Sequence, residues 1–160
     1  MNDTVIRPFR PSDVPWLVAQ HGLLYERDEG FDKSFARLVQ QILDEFVATH
    51  DPSCDRGWIA ERAGVPLGSI FCVRLDEITA KLRLFFLVPE ARGKGLGKRL
   101  LHTCMDHARD TGFEKMSLWT HESHRAACAL YQATGWQLTG SKPVHSFGVD
   151  LVEQSWEIRL

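Results

Sequence analysis

The sequence lacks a long hydrophobic run and an excess of basic residues. No stretch approaches the roughly 18 apolar residues that cross a membrane, and the first residues do not form the basic-then-apolar pattern of a secretory signal. The net charge of -2 at pH 7 does not suit the strongly basic surface that nucleic-acid backbones bind. We therefore expect neither a membrane nor a nucleic-acid partner.

Closely spaced cysteines are also missing. The four cysteines form neither a CxxC pair nor a dense disulfide framework, which indicates free thiols in a reducing cytosol and predicts a cytoplasmic protein. A chain of 160 residues, 44% hydrophobic and 25% charged, buries a core without disulfide or metal support. No linker, repeat or low-complexity tract divides it, so we expect a single domain over residues 1–160.

The N-terminal part of the chain reads as a strand followed by two helices. Residues 4–10 alternate and end before Pro11, and a helix capped by Ser12 or Asp13 then runs to Gly30. A second helix begins after Asp32. Its apolar positions recur with a period near 3.6, which predicts that both helices cover one face of a sheet. These positions are Phe35, Leu38, Val39, Ile42, Leu43 and Phe46.

The middle of the chain changes to a period of two. Residues 58–62 and 67–75 predict a β-hairpin, and residues 82–88 predict a third strand, which ends at Pro89. A helix from Leu96 to Gly112 follows, and then a short strand over residues 116–119. Strand, crossover helix and strand make one right-handed parallel unit.

A last helix over residues 123–134 and two final strands complete the pattern. The strands are predicted near residues 136–139 and 151–160. The fold class is therefore α/β, in the α+β sense of strands and helices mixed around one sheet. The terminal strand is of a kind that pairs between subunits, so a homodimer is possible.

The most informative segment is Arg92-Gly93-Lys94-Gly95-Leu96-Gly97, between a strand and a helix. Glycines let backbone N–H groups turn towards one concave spot, and a helix start adds about half a positive charge. Lys98 and Arg99 add fixed charge beside it. Together these features predict an anion site suited to a pyrophosphate.

Three other kinds of glycine-rich loop compare with this one. A nucleotide-hydrolysing P-loop needs GxxxxGK followed by Ser or Thr, which is absent here. A dinucleotide fingerprint needs GxGxxG in the first strand–helix unit, whereas this loop has other spacing and lies late in the chain. A Gly-rich turn with no ligand stays open on the string alone.

The segment resembles the signature of the GCN5-related N-acetyltransferases (GNAT), [Gln/Arg]-x-x-Gly-x-[Gly/Ala], with Arg92, Gly95 and Gly97 at the matching positions. Residues 129–136 are similar to a second family element, an aromatic-containing helix followed by a Gly-aromatic pair. A narrower resemblance is to the acetyltransferase half of bacterial MarR-type regulator/acetyltransferase fusions, and it lies in residues 81–84, 118–120, 145–148 and 150–152. The regulator half has no counterpart in this sequence, so no DNA binding is carried over.

The resemblance implies a mixed, mostly antiparallel twisted sheet with helices on both faces, and a transferase that moves the acetyl group of acetyl-CoA to a primary amine of a small molecule or protein. It implies that Leu87 and Val88 offer backbone groups to pantetheine and that Tyr131 protonates the departing thiolate. The alternative is a non-catalytic acyl-CoA-binding sensor. The resemblance implies that the cofactor-binding residues are Leu87, Val88, Arg92, Gly93, Lys94, Gly95, Leu96, Gly97 and Lys98.

Residues on the acceptor side are defined less well by the sequence. In the family, the end of the first helix and the loop before the last strand flank the acceptor entrance, which points to Glu26 and Glu29, and to His145 and Ser146. Both glutamates also read as ordinary surface carboxylates. The pair of histidines at positions 121 and 124 reads as a solvated helix start, and no metal is expected. The sequence does not name the acceptor amine, the general base, the oligomeric state or the range of acyl-CoAs.

Overall fold

The computed structural model describes residues 3–160. Over these residues the chain forms seven strands and four α-helices around one sheet. The elements in chain order are β1 Val5–Pro8, α1 Val14–Glu29, α2 Lys33–Thr49, β2 Arg56–Arg62, β3 Val65–Arg74, β4 Thr79–Leu87, α3 Leu96–Thr111, β5 Lys115–His121, α4 Arg125–Ala133, β6 Gln137–Ser146 and β7 Val149–Arg159.

The sheet has the strand order β1-β2-β3-β4-β5-β7-β6. Every neighbouring pair is antiparallel except β4 and β5, which are parallel and joined through α3. These two strands pair over three residues only, from Thr79 opposite Lys115 to Lys81 opposite Ser117. No residues of the two strands pair beyond this point, so a gap separates the end of β4 from the end of β5. The predicted fold class, with its single parallel strand–helix–strand unit, is confirmed.

Helices cover both faces of the sheet. On one face Trp16 of α1 packs against Phe86, and Phe46 of α2 packs against Phe71. On the opposite face the Sγ atom of Cys104 on α3 contacts the Phe71 carbonyl. The ring of Tyr131 on α4 lies 6.0 Å from that of Trp156. The burial of these aromatic and aliphatic side chains stabilises the three layers through loss of apolar surface from water.

Most helix ends follow the predicted signals, although the Asp13 side chain does not cap α1 and accepts from the Arg10 N–H. The Asp32 carboxylate accepts a hydrogen bond from the Ser34 backbone N–H at the start of α2. Gly30 and Gly112 adopt the left-handed conformation after α1 and α3, where the absence of a Cβ avoids strain. These local signals depend on neighbouring residues alone, so the sequence was sufficient to predict them.

Two expectations near the C-terminus are wrong. The strand predicted near residues 136–139 continues as β6 to Ser146, so His145 and Ser146 lie at the end of a strand and not in a loop. Gly140 and Pro143 are unfavourable inside strands, so the sequence predicted a shorter strand. Both are tolerated here because β6 is an edge strand. The terminal strand β7 pairs with β5 on one side and β6 on the other, which leaves it no free edge for a second subunit.

Candidate active site

The gap between β4 and β5 is lined on one side by backbone groups of β4. The Val88 N–H donates to the Leu67 carbonyl on β3 at 2.9 Å. Hydrogen-bonding directions alternate along an antiparallel strand, so the N–H and carbonyl of Leu87 point away from β3 and into the gap. Of the two residues expected to meet pantetheine, Leu87 therefore directs both backbone groups there. The Val88 carbonyl accepts from the Ala91 N–H at 3.0 Å.

A β-bulge distorts β4 just before this point. Arg83 lies opposite Phe71 and Phe86 lies opposite Ser69, so β4 has one residue more than β3 in this interval. Leu84 in the bulge has a positive φ of 49°, a strained conformation for an aliphatic residue. The Ser69 hydroxyl donates to the Leu84 carbonyl at 2.6 Å and holds the bulge in place. Bulges of this kind re-aim a strand and are common beside active sites.

The glycine-rich loop presents a row of unpaired backbone donors. No described residue accepts a hydrogen bond from the backbone N–H groups of residues 93–98. Gly93 and Gly95 have φ of 77° and 79°, which turns this backbone into a concave arc before α3. Open space lies where a Cβ would stand at both glycines. The loop and the helix start thus form the cradle that diphosphate oxygens require.

Gly97 lies in the first turn of α3, facing the gap. A Cβ on this residue would meet the Leu87 side chain at 3.4 Å and the Leu130 and Phe85 side chains at 3.7 Å. A larger side chain there would fill the space beside the end of β4. Arg92 donates from Nε to the Leu87 carbonyl at 3.2 Å, while Lys94 and Lys98 remain exposed near the cradle.

Tyr131 reaches the gap from α4. Its ring is buried against Trp136, with centroids 5.6 Å apart, and lies 6.3 Å from the ring of Phe85 on β4. Its hydroxyl forms no hydrogen bond with any described residue, so a core carbonyl does not hold it. Burial raises the pKa of Tyr131 well above its usual range, which keeps the phenol protonated at neutral pH.

A carboxylate and an imidazole meet on the other side of the gap. Glu29 at the end of α1 has its Oε1 atom 3.6 Å from Nε2 of His124, and both side chains are largely shielded from solvent. The second ring nitrogen of His124, Nδ1, lies 3.1 Å from the Thr120 hydroxyl. Burial lowers the pKa of His124 to about 4, helped by nearby His121, so the imidazole is neutral at physiological pH.

Aromatic side chains surround this pair. The ring of Tyr25 lies 5.0 Å from His124, and that of Phe31 lies 5.9 Å from His121. The tip of the β6–β7 hairpin closes the group, because Phe147 packs 4.9 Å from Phe31 and its carbonyl accepts from the Asp32 N–H at 2.8 Å. Sequence reasoning missed these aromatic residues. The sequence did indicate that Tyr25 and Glu29 lie side by side, since residues four apart share one face of a helix.

The remaining predicted residues lie farther out. Glu26 is exposed on α1, so of the two glutamates considered it is Glu29 that turns inward. His145 is exposed and its Nδ1 atom lies 2.9 Å from Oδ1 of Asp150, which is itself almost fully exposed. Ser146 is partly buried at the hairpin end. The structure does not bring His145 or Glu26 into contact with the Glu29–His124 pair.

The histidine pair at the start of α4 differs from expectation. His121 and His124 are partly buried, with ring centroids 5.4 Å apart, so the solvated helix start expected from the sequence is wrong. Burial lowers the pKa of His121 as well. Among residues 3–160 no group of three or more His, Cys, Asp or Glu side chains is arranged to hold a metal ion.

The geometry agrees with a comparison against protein families. Residues 19–136 match the model of the acetyltransferase (GNAT) family, and the chain belongs to this family. Human N-acetyltransferase 8B is 33% identical over 93 residues, which cover 55% of this chain and 41% of that protein. The uncharacterized N-acetyltransferase YjgM of Escherichia coli K12 is 30% identical over 109 residues, covering 66% and 65%. The aligned part thus covers about two fifths of the human relative.

Solved structures share the fold. The ribosomal-protein-alanine N-acetyltransferase of Brucella melitensis superposes with a TM-score of 0.77 at 21% identity, covering 98% of this chain and 99% of that one. The yncA protein of Salmonella typhimurium, a putative acetyltransferase solved with acetyl-CoA, gives a TM-score of 0.75 at 22% identity, covering 99% and 95%. The predicted family resemblance and fold are confirmed.

Proposed function

We propose that this protein is an acetyl-CoA-dependent N-acetyltransferase that acetylates a primary amine by direct attack. The observation that carries the proposal is the row of unpaired backbone N–H groups in residues 93–98, next to a gap that exposes the backbone of Leu87. An arc of this kind binds a diphosphate, and an open strand edge binds an extended amide-containing chain. Coenzyme A contains both groups in series.

Each end of the gap has a chemical role in this proposal. The acceptor enters as an ammonium, which has no lone pair, and its proton passes to the Glu29–His124 pair. The neutral amine then attacks the acetyl carbonyl carbon, and the Leu87 N–H donates to the oxygen as it gains charge. When the carbon–sulfur bond breaks, Tyr131 donates its hydroxyl proton to the thiolate, and the attacking nitrogen loses its second proton, which converts the Tyr131 phenolate back to the phenol. Coenzyme A and an N-acetyl amide are the products.

The site favours turnover over simple binding. A sensor needs the cradle alone, whereas this chain also has a protonated phenol and a carboxylate–imidazole pair on opposite sides of the gap. The acceptor is a small molecule or protein amine, with His145 and Ser146 at the rim of its entrance. Within residues 3–160 no helix is long and apolar enough to cross a membrane, and the four cysteines are free. We place its action in the cytoplasm because free thiols persist in a reducing compartment.

Calorimetric titration with acetyl-CoA, ATP and NAD tests the cofactor. We expect heat with acetyl-CoA at about micromolar affinity and none with the other two, and the reverse pattern would reject the acetyltransferase proposal. A thiol-release assay over amines, amino acids and peptides then tests turnover. Tight acetyl-CoA binding without turnover of any acceptor would favour the sensor.

A further inference from the structure

A second cationic site lies on the α1–α2 face of β4, before the bulge. Arg83 lies opposite Phe71, whose ring packs against Phe46 of α2, so the Arg83 side chain points towards this helix. It lines a cavity of about 190 Å3 together with Ile42 and Glu45 of α2. Asp55 and Arg74 also line this cavity.

The guanidinium of Arg83 has no partner in the described chain. It forms no hydrogen bond and has no carboxylate within 4.0 Å, although the side chain is half-buried and burial lowers its pKa. Arg7 shows the usual arrangement, because its guanidinium pairs with Asp13 and Glu61, each at 2.8 Å. Desolvating a guanidinium without a partner is unfavourable, and a carboxylate that binds it in two parallel hydrogen bonds removes that cost.

Lys81 adds a second positive charge on the same face. Its Nζ atom lies 4.0 Å from the centre of the exposed Trp119 ring, and it forms no ion pair with a described carboxylate. Burial, and to a smaller extent Arg83, lowers the pKa of Lys81 to about 8. The carboxylate of Glu45 acts on Arg83 from α2 but stays beyond ion-pairing distance. Arg83 therefore places a guanidinium without an ion-pair partner at the cavity, and Lys81 lies two residues before it on the same strand.

The distance between Arg83 and the end of β4 sets the length of an acceptor that contacts both. Leu87 is four positions after Arg83, and a strand rises about 3.3 Å per residue, so their α-carbons are at most about 13 Å apart along β4. The arginine side chain spans part of this distance. A ligand with its amine at the end of β4 and its anionic group at Arg83 must hold the two groups several bonds apart.

We propose that Arg83, supported by Lys81, binds a carboxylate of the acceptor, so that the acceptor class is a primary amine that also carries a carboxylate, such as an amino acid or a short peptide. This inference rests on the proposed acetyltransferase function. Arg83 is a specificity residue in this proposal, because it holds the far end of the acceptor and takes no part in proton transfer. The guanidinium is suited to the task because its planar donors match both carboxylate oxygens.

Matched acceptors test the inference. Each amino acid is compared with its own carboxamide in the thiol-release assay, which keeps the amine and removes the negative charge. We expect kcat/KM to be at least about 10-fold higher for the acid. A series of ω-amino acids of increasing chain length then reports the spacing, with a maximum at an intermediate length. Equal rates for acids and amides would overturn the proposal.

Substitutions of Arg83 test whether this residue causes the preference for a carboxylate. Arg83→Gln should raise KM for the acid about 10- to 100-fold with little change in kcat, and should leave the amide unchanged, while Arg83→Lys restores part of the affinity. Arg62→Gln, at the exposed end of β2, is the matched control. Thermal unfolding of each variant checks that it is folded. An equal loss for acid and amide in a folded Arg83→Gln protein would also overturn the proposal.

These experiments distinguish an error in the carboxylate site from an error in the proposed acetyltransferase function. If acetyl-CoA binds and amines without a carboxylate are acetylated while acids are not, the carboxylate site is wrong and the acetyltransferase function stands. If acetyl-CoA gives no heat in calorimetry, the proposed function is wrong and the carboxylate inference is rejected with it. Acetyl-CoA binding by Arg83→Gln should equal that of the unaltered protein, since the cradle lies in residues 93–98.

Discussion

The Nε2 atom of His124 lies 3.6 Å from the Oε1 atom of Glu29, which joins the start of α4 to the end of α1 across the gap in the sheet. Nε2 is buried and has no hydrogen-bond partner among the described residues. Because burial lowers the pKa of His124 to about 4, the imidazole is neutral at physiological pH and has a lone pair on one ring nitrogen that can accept a proton. The pair is therefore our candidate for removing the acceptor proton.

Replacement of Glu29 tests that role. Glu29→Gln keeps the shape of the side chain and removes its charge, so we expect kcat/KM for the acceptor to fall by about 100-fold or more with acetyl-CoA affinity unchanged. Glu26→Gln is the matched control, because Glu26 lies on the same helix and is exposed. Steady-state kinetics with a fixed acceptor measure both. Similar activities of the two variants would remove Glu29 from the mechanism.

Replacement of Tyr131 separates a catalytic hydroxyl from a structural one. Tyr131→Phe should lower kcat by about 10- to 1000-fold with little change in acetyl-CoA affinity. Since the hydroxyl has no hydrogen bond to a described residue, we expect the free energy of unfolding to change by less than about 0.5 kcal/mol, against about 1 kcal/mol for a satisfied buried hydroxyl. Unchanged turnover under conditions where chemistry limits the rate would exclude Tyr131 as the acid.

The cradle is tested at a glycine that needs its positive φ. Gly95→Val should abolish acetyl-CoA binding, because a β-branched residue is strained at φ 79° and its side chain enters the anion site. Gly64→Val is the control, since Gly64 has φ 78° with equally open surroundings in the β2–β3 turn. Both variants should lose similar stability, yet only Gly64→Val should still be stabilised by acetyl-CoA in thermal unfolding. Retained binding by Gly95→Val would contradict the site.

His21 predicts a pH dependence of stability. Burial lowers its pKa from 6.5 to about 4, and its Nδ1–H donates to the Leu17 carbonyl at 2.7 Å, while its ring packs 4.3 Å from that of Phe86. In the unfolded chain His21 takes up a proton near pH 6.5. Its contribution is therefore complete above pH 6.5 and is lost as the pH falls towards 4, by about 3 kcal/mol in total.

Urea unfolding between pH 4 and pH 7 measures this dependence. His21→Phe should flatten it, whereas His102→Phe, at an exposed position on α3, should leave the slope unchanged. Some slope remains in His21→Phe because the pKa of His124 is lowered in the same direction. Identical slopes for His21→Phe and the unaltered protein would show that His21 does not titrate as its burial indicates.

Local sequence signals were enough for most of the fold and for the cofactor loop. The left-handed glycines at 93 and 95, the start of α3 after Gly95 and the helical position of Tyr131 all depend on residues close in the chain. The length of β6 was underestimated because Gly140 and Pro143 interrupt its pattern. Pairing with β7 overrides that local preference.

The sequence by itself determined the family, the anion-binding loop and the phenol on α4, because glycine spacing and helical period are local properties. Only the tertiary structure chose Glu29 over Glu26, placed His124 against it and left Arg83 without a partner. These relationships join side chains from elements far apart in the chain. Their distances follow from how the helices pack across the separated strands, which no pattern of neighbouring residues encodes.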